Sequence, residues 1–88
     1  KSEIQATIRS HLPEVKYCFE KEGASKQMQV SVKILTDEKG KVTSVGIKHS
    51  NATKPIEACV VQAVSRITFP EPPDGQPIKL SYPFTFNP

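Results

Sequence analysis

Residues 78–86 alternate without a break: Ile78, Leu80, Tyr82, Phe84 and Phe86 fall on one side of an extended chain, and Lys79, Ser81, Pro83 and Thr85 on the other. A two-residue period of this kind marks a strand with one buried and one solvated face. The proline in its middle narrows the choice further. Having no N–H, it is tolerated at a sheet edge or a bulge and not in a central strand. The chain therefore ends in an edge strand. The residues before it have to supply a sheet to pair with and a layer to cover its apolar face.

Two further segments supply the sheet. In residues 27–36, Met28, Val30, Val32 and Ile34 alternate with Gln29, Ser31 and Lys33. Asp37-Glu38-Lys39-Gly40 then reads as a tight turn, with Gly40 free to adopt positive φ. A second strand runs from Lys41 to His49, but Val42 is out of phase with Val45 and Ile47. A bulge near Thr43-Ser44 reconciles them.

The covering layer is helical. Ile4, Ile8, Leu12, Val15 and Cys18/Phe19 recur at steps of three and four across residues 3–22. Pro13 interrupts the segment, so it is either one bent helix or two short ones with Pro13 in the first turn of the second. The stripe keeps its phase across Pro13, which favours one bent helix. Gly23 is the C-terminal stop. In residues 53–67, Ile56, Cys59, Val60, Ala63, Val64 and Ile67 form a second stripe, with Thr53 as cap and Pro55 in the first turn. The proline-rich stretch 68–77 is loop. The predicted fold is α+β: a two-layer α-β-β-α-β unit, a three-stranded antiparallel sheet with two helices on one face.

The 88 residues make one domain, 1–88, with room for one modest core. Twelve Lys+Arg against nine Asp+Glu give a net charge of +3, too weak by itself to indicate nucleic acid. No apolar run approaches the ~18 residues of a membrane span. The chain opens Lys1-Ser2-Glu3-Ile4 and is expected to be an excerpt of a longer protein, with any anchor or export signal outside it.

Three blocks resemble a known family. Ser10-His11-Leu12-Pro13-Glu14-Val15-Lys16-Tyr17-Cys18-Phe19-Glu20 is similar to the first-helix signature of the AgmX/PglI type of TonB C-terminal domain. Asp37 to Val42, followed by Ser50, resembles the hairpin shared by TonB C-terminal domains. Ile56-Glu57-Ala58-Cys59, then Phe69-Pro70 and Tyr82-Pro83-Phe84-Thr85-Phe86, resembles the remainder. The resemblance covers nearly the whole chain. It departs at Arg66-Ile67-Thr68-Phe69-Pro70, where the family usually carries Trp shortly before the Phe-Pro pair.

The resemblance implies a non-enzymatic periplasmic domain of an inner-membrane-anchored bacterial protein. Such a domain grips a periplasmic or outer-membrane protein segment, in energy transduction and transmembrane transport or in gliding motility. Motor-complex subunits would meet the rest of the parent chain. No cofactor, metal or nucleic acid is expected.

Cys18 and Cys59 lie on or beside the two helical stripes and meet if both helices share one sheet face. They are either buried free thiols, packing as small hydrophobes, or a disulfide. A bridge would close a loop of about 41 residues and stabilise by roughly 4 kcal/mol. The periplasmic reading favours the bridge. His11, His49 and the two cysteines match no zinc spacing. His11 and Cys18 are about two helical turns apart, roughly 10 Å, too far for a nucleophile and its base. Lys33, Lys48 and Lys79, one per strand, mark the polar face. They are either a solvated surface or a basic face for nucleic acid or another acidic polymer, and no aromatics interleave with them as a stacking platform. Finally, alternate residues turn their backbone groups to the same side of a strand. Ser81, Thr85 and Asn87 should share the open edge with Pro83, and Lys79 to Asn87 should line a partner segment added there as an extra strand.

Overall fold

A computed structural model describes residues 2–72 and 74–87; Pro73, within the proposed loop, lies outside them. The elements are α1 (Ser2–Ser10), α2 (Leu12–Lys21), β1 (Met28–Thr36), β2 (Val42–Ser50), α3 (Lys54–Ser65) and β3 (Lys79–Phe86). The sheet is antiparallel throughout, in the order β2-β1-β3. Its central strand β1 buries every second residue: Met28, Val30, Val32, Ile34 and Thr36. The helices pack on that face, α3 over β1 and β2, and α2 against α3 and β3.

The first helical segment is two helices, not one bent helix. The residue before the second, His11, sits at φ −102°, ψ 0°. Continuing α1 would drive the Pro13 ring into the carbonyl of Arg9, four residues back, so the helix stops at Ser10. The last turn closes tightly, with the His11 amide donating to Ile8 O at 3.0 Å. A new helix then starts with Pro13 in its first turn, where the missing N–H has no partner to lose. The apolar stripe survives the break, since Ile8, Val15, Cys18 and Phe19 are all buried in the same core.

Gly23 ends α2 at φ 71°. Ala24 N donates to Phe19 O at 3.1 Å and Gly23 N to Glu20 O at 3.0 Å, the pair of bonds that satisfies the last free carbonyls of a helix. Thr53 takes the N-cap position of α3 by backbone geometry, and its carbonyl accepts from Glu57 N at 2.9 Å. Its hydroxyl, contrary to expectation, makes no capping bond.

The pairing of β1 with β2 slips twice. Between Leu35 and Thr36 the partner skips from Ser44 to Val42, leaving Thr43 as an extra residue at the expected bulge. Between Ser31 and Val32 it skips from His49 to Ile47, leaving Lys48 as a second bulge that alternation did not reveal. The pairing of β1 with β3 is unbroken from Met28↔Phe86 to Leu35↔Lys79.

The β1–β2 turn is tied on both sides. Asp37 Oδ1 accepts the amides of Lys39 and Lys41, each at 2.9 Å. The Lys41 amide is the chief reason that the Asp37 carboxyl is held below its ordinary range. Gly40, at φ 89°, lies against the loop after α3, and its carbonyl accepts from Phe69 N at 2.9 Å. A Cβ there would come within 2.3 Å of Phe69 O, so both the backbone angle and the close approach require glycine.

Candidate functional site

β3 lies at the edge of the sheet, and the direction of its backbone groups follows from its first neighbour. Ile78 O accepts from Thr36 N and Ile78 N donates to Thr36 Oγ1, both at 2.9 Å, so Ile78 turns its backbone toward β1. By alternation Leu80, Tyr82, Phe84 and Phe86 do the same, and Lys79, Ser81, Pro83 and Thr85 turn theirs away. Pro83 is paired with Ser31 of β1, but its backbone groups turn to the other side, where β3 has no neighbour, so its missing N–H removes nothing from the ladder with β1. Asn87 follows directly, beyond the end of the strand.

The apolar side of β3 is covered unevenly. Phe84 and Phe86 are buried, and the Phe86 ring stacks on Phe19 of α2 with centroids 5.0 Å apart. Ile78, Leu80 and Tyr82 are only half-buried. Beside the buried end, a groove of ≈ 260 Å³ runs between α2 and the strand, floored by Leu12, Val15, Phe19, Phe84 and Phe86, with Lys16 at its rim. Neither the helical stripe nor the strand alternation foretells this groove. Leu12 and Phe19 read as stripe residues, and a gap between stripe and edge depends on how the helix lies across the sheet.

The three lysines of the open face are not equivalent. Lys33 stands opposite Ser81 on one side and Gly46 on the other, and Lys79 stands opposite Leu35, the second residue along from Lys33. These two are diagonal neighbours. Lys48 occupies the bulge on the far strand. None of the three strands contains an acidic residue.

Cys18 and Cys59 form a disulfide joining α2 to α3, with a Cα–Cα distance of 5.6 Å. Neither sulfur is then available as a metal ligand or nucleophile, and among the described residues no cluster of three or more His, Cys, Asp or Glu is placed to hold a metal ion. His11 Nδ1 lies 2.6 Å from Glu14 Oε2 within its own turn. The disulfide floors a shallow groove between α2 and α3, flanked by Tyr17, Lys21 and Arg66. Tyr17 is 61% exposed there, off the stripe, and was not singled out by its sequence position.

Comparison with known proteins gives one consistent answer. Two solution NMR structures of the Helicobacter pylori TonB C-terminal domain share the fold. The one covering its residues 194–285 has a TM-score of 0.66 at 17% identity, over 92% of each chain. The one covering residues 179–285 has a TM-score of 0.59 at 20% identity, over 99% of this chain and 92% of the other. No curated protein sequence matches significantly. The family profile described as TonB C terminal matches residues 1–87, and the chain belongs to that family.

Proposed function

We propose that this domain is a docking module that captures an extended segment of a periplasmic or outer-membrane protein as a fourth strand on β3. The observation that carries this reading is the geometry of the edge. β3 turns three N–H groups (Lys79, Ser81, Thr85) and four carbonyls (those residues and Pro83) away from the sheet, along a strand held in register by eight pairs with β1. An incoming strand can bond to these groups, with one gap at Pro83. The opposite edge is a poorer template, because bulges at Thr43 and Lys48 disrupt the regular row on β2.

Membership of the TonB C-terminal family supports a role in protein interaction rather than catalysis. The blocks Ser10–Glu20 and Tyr82–Phe86 support placing the chain with the AgmX/PglI type, in a gliding-motility or transport machine. In that setting the domain sits in the periplasm. The parent chain supplies the inner-membrane anchor and the contacts to motor subunits.

Capture of periplasmic and outer-membrane proteins on the immobilised domain, followed by amide exchange of the complex, tests the reading. The amides of Ser81 and Thr85, free in the isolated domain, should gain protection. Those of Tyr82 and Phe84, already bonded to β1, should change little. Thr85→Pro, which deletes a second outward donor, should weaken capture and leave the fold intact. Protection confined to β2 or to the open face, or a Thr85→Pro variant that captures as well as the parent, would reject strand addition at β3.

A further inference from the structure

The disulfide is not symmetric toward solvent. Cys18 is 2% exposed, whereas Cys59 is half-buried and lines the groove between α2 and α3, a cavity of ≈ 500 Å³. That volume lies in the range of small-molecule sites. Cys18 Sγ sits 3.6 Å from the carbonyl oxygen of Glu14, one turn earlier on its own helix, so a thiol freed there has an acceptor in place.

The groove is also cationic. Lys21 lies one turn beyond Cys18 on α2, and Arg66 two turns beyond Cys59 at the end of α3, and both line it. Both are exposed, and neither makes an ion pair among the described residues. Glu14, the carboxylate on the rim, lies 2.6 Å from His11 Nδ1. Two cations against one carboxylate leave one net positive charge. Attack of a thiolate on a disulfide spreads negative charge over three sulfurs, so cations close by favour both the approach and the reaction.

We infer that Cys59 is a site of reversible modification by a small anionic thiol. The reagent's thiolate attacks Cys59 Sγ, a new S–S bond forms there, and the Cys18–Cys59 bond breaks. Cys18 leaves as a thiolate, takes a proton from water and donates its S–H to Glu14 O. One thiol and one disulfide go in and one of each comes out, so the step needs no oxidant or reductant beyond the thiol itself. Attack by Cys18 on the mixed disulfide reverses it. While the adduct is in place the covalent tie between α2 and α3 is open, and α2 is held to the sheet by packing such as the Phe19–Phe86 stack. The site is separate from the β3 edge and stands or falls independently of capture there.

The test exposes the oxidised, folded domain to 2-mercaptoethanesulfonate, 2-mercaptoethanol and cysteamine at equal thiolate concentration and low salt. Samples are quenched in acid at early times, the freed thiol is blocked with N-ethylmaleimide, and both labels are placed by peptide mass mapping. The adduct should lie on Cys59 and the maleimide on Cys18. One net charge at one to two helical turns, about 8 Å, changes the rate roughly 2.4-fold per unit of charge on the thiol, so the sulfonate should react about fivefold faster than cysteamine. Lys21→Glu with Arg66→Glu, both at exposed positions, should reverse that order, with far-UV circular dichroism confirming the fold. In concentrated urea the adduct should divide about equally between the two sulfurs. An equal division in the folded domain as well, which is the outcome of opening through the unfolded chain, would overturn the inference. So would a folded bridge that resists all three thiols, or an order of thiols that charge reversal leaves unchanged.

Discussion

Replacing Cys18 and Cys59 together by alanine removes the covalent tie between α2 and α3 and little else. Cys18 is 2% exposed and Cys59 half-buried, so each alanine leaves a gap the size of one sulfur, with no buried polar atom introduced. The bridge spans 41 residues of chain. Closing a loop of that length removes entropy from the unfolded ensemble worth about 4 kcal/mol at 25 °C. A domain of this size has a total stability of roughly 4–13 kcal/mol, so the loss is between a third and nearly all of it. The midpoint of thermal unfolding should fall by about 15–30 °C at roughly 4–8 °C per kcal/mol. Urea titration of parent, reduced parent and double variant, followed by far-UV circular dichroism, measures the loss directly. The reduced parent and the variant should agree with each other. If both unfold within about 0.5 kcal/mol of the oxidised protein, the ordering effect of the bridge on the unfolded chain is refuted.

Phe86→Ala should cost about 3–5 kcal/mol by denaturant titration, because the ring is 6% exposed and stacked on Phe19. Gly40→Ala should destabilise by about 1–3 kcal/mol, since alanine must hold φ near 89° and press on Phe69 O; a neutral result in the same titration would mean that the turn shifts freely. Asp37 has a lowered carboxyl pKa in the folded state, so its contribution is present above the unfolded value of about 3.9 and is lost as pH falls through the folded one. Asp37→Asn should therefore flatten the acid limb of a stability–pH curve and leave its slope near neutrality unchanged.

The elements that a local period defines were readable from the sequence, and those set by contacts between elements were not. β1 and β3 announce themselves because each buries one face, and the α3 stripe placed Cys59 toward α2 for the same reason. The bulge at Thr43 was visible because Val42 and Val45 both have to face the helices. The bulge at Lys48 was invisible, since no apolar residue follows Ile47 in the strand to show that the phase has shifted. The helix break at His11 was masked because the apolar stripe resumes in phase beyond it. At the candidate site, Pro83 gave away the edge and its direction. The apolar groove came from the lie of α2 across β3, which no single segment encodes.

The two sheet edges also govern how copies of this domain can meet. Joining a β3 edge to a β2 edge is head-to-tail, and repeated pairings of that kind build an open filament. The bulges at Thr43 and Lys48 leave β2 a poor mate, so pairing between copies is confined to β3 against β3. That contact uses the same edge on both copies, related by a two-fold rotation, and consumes both partners' usable edges in a single step. Crowding the domain should therefore give pairs that close rather than fibres that grow.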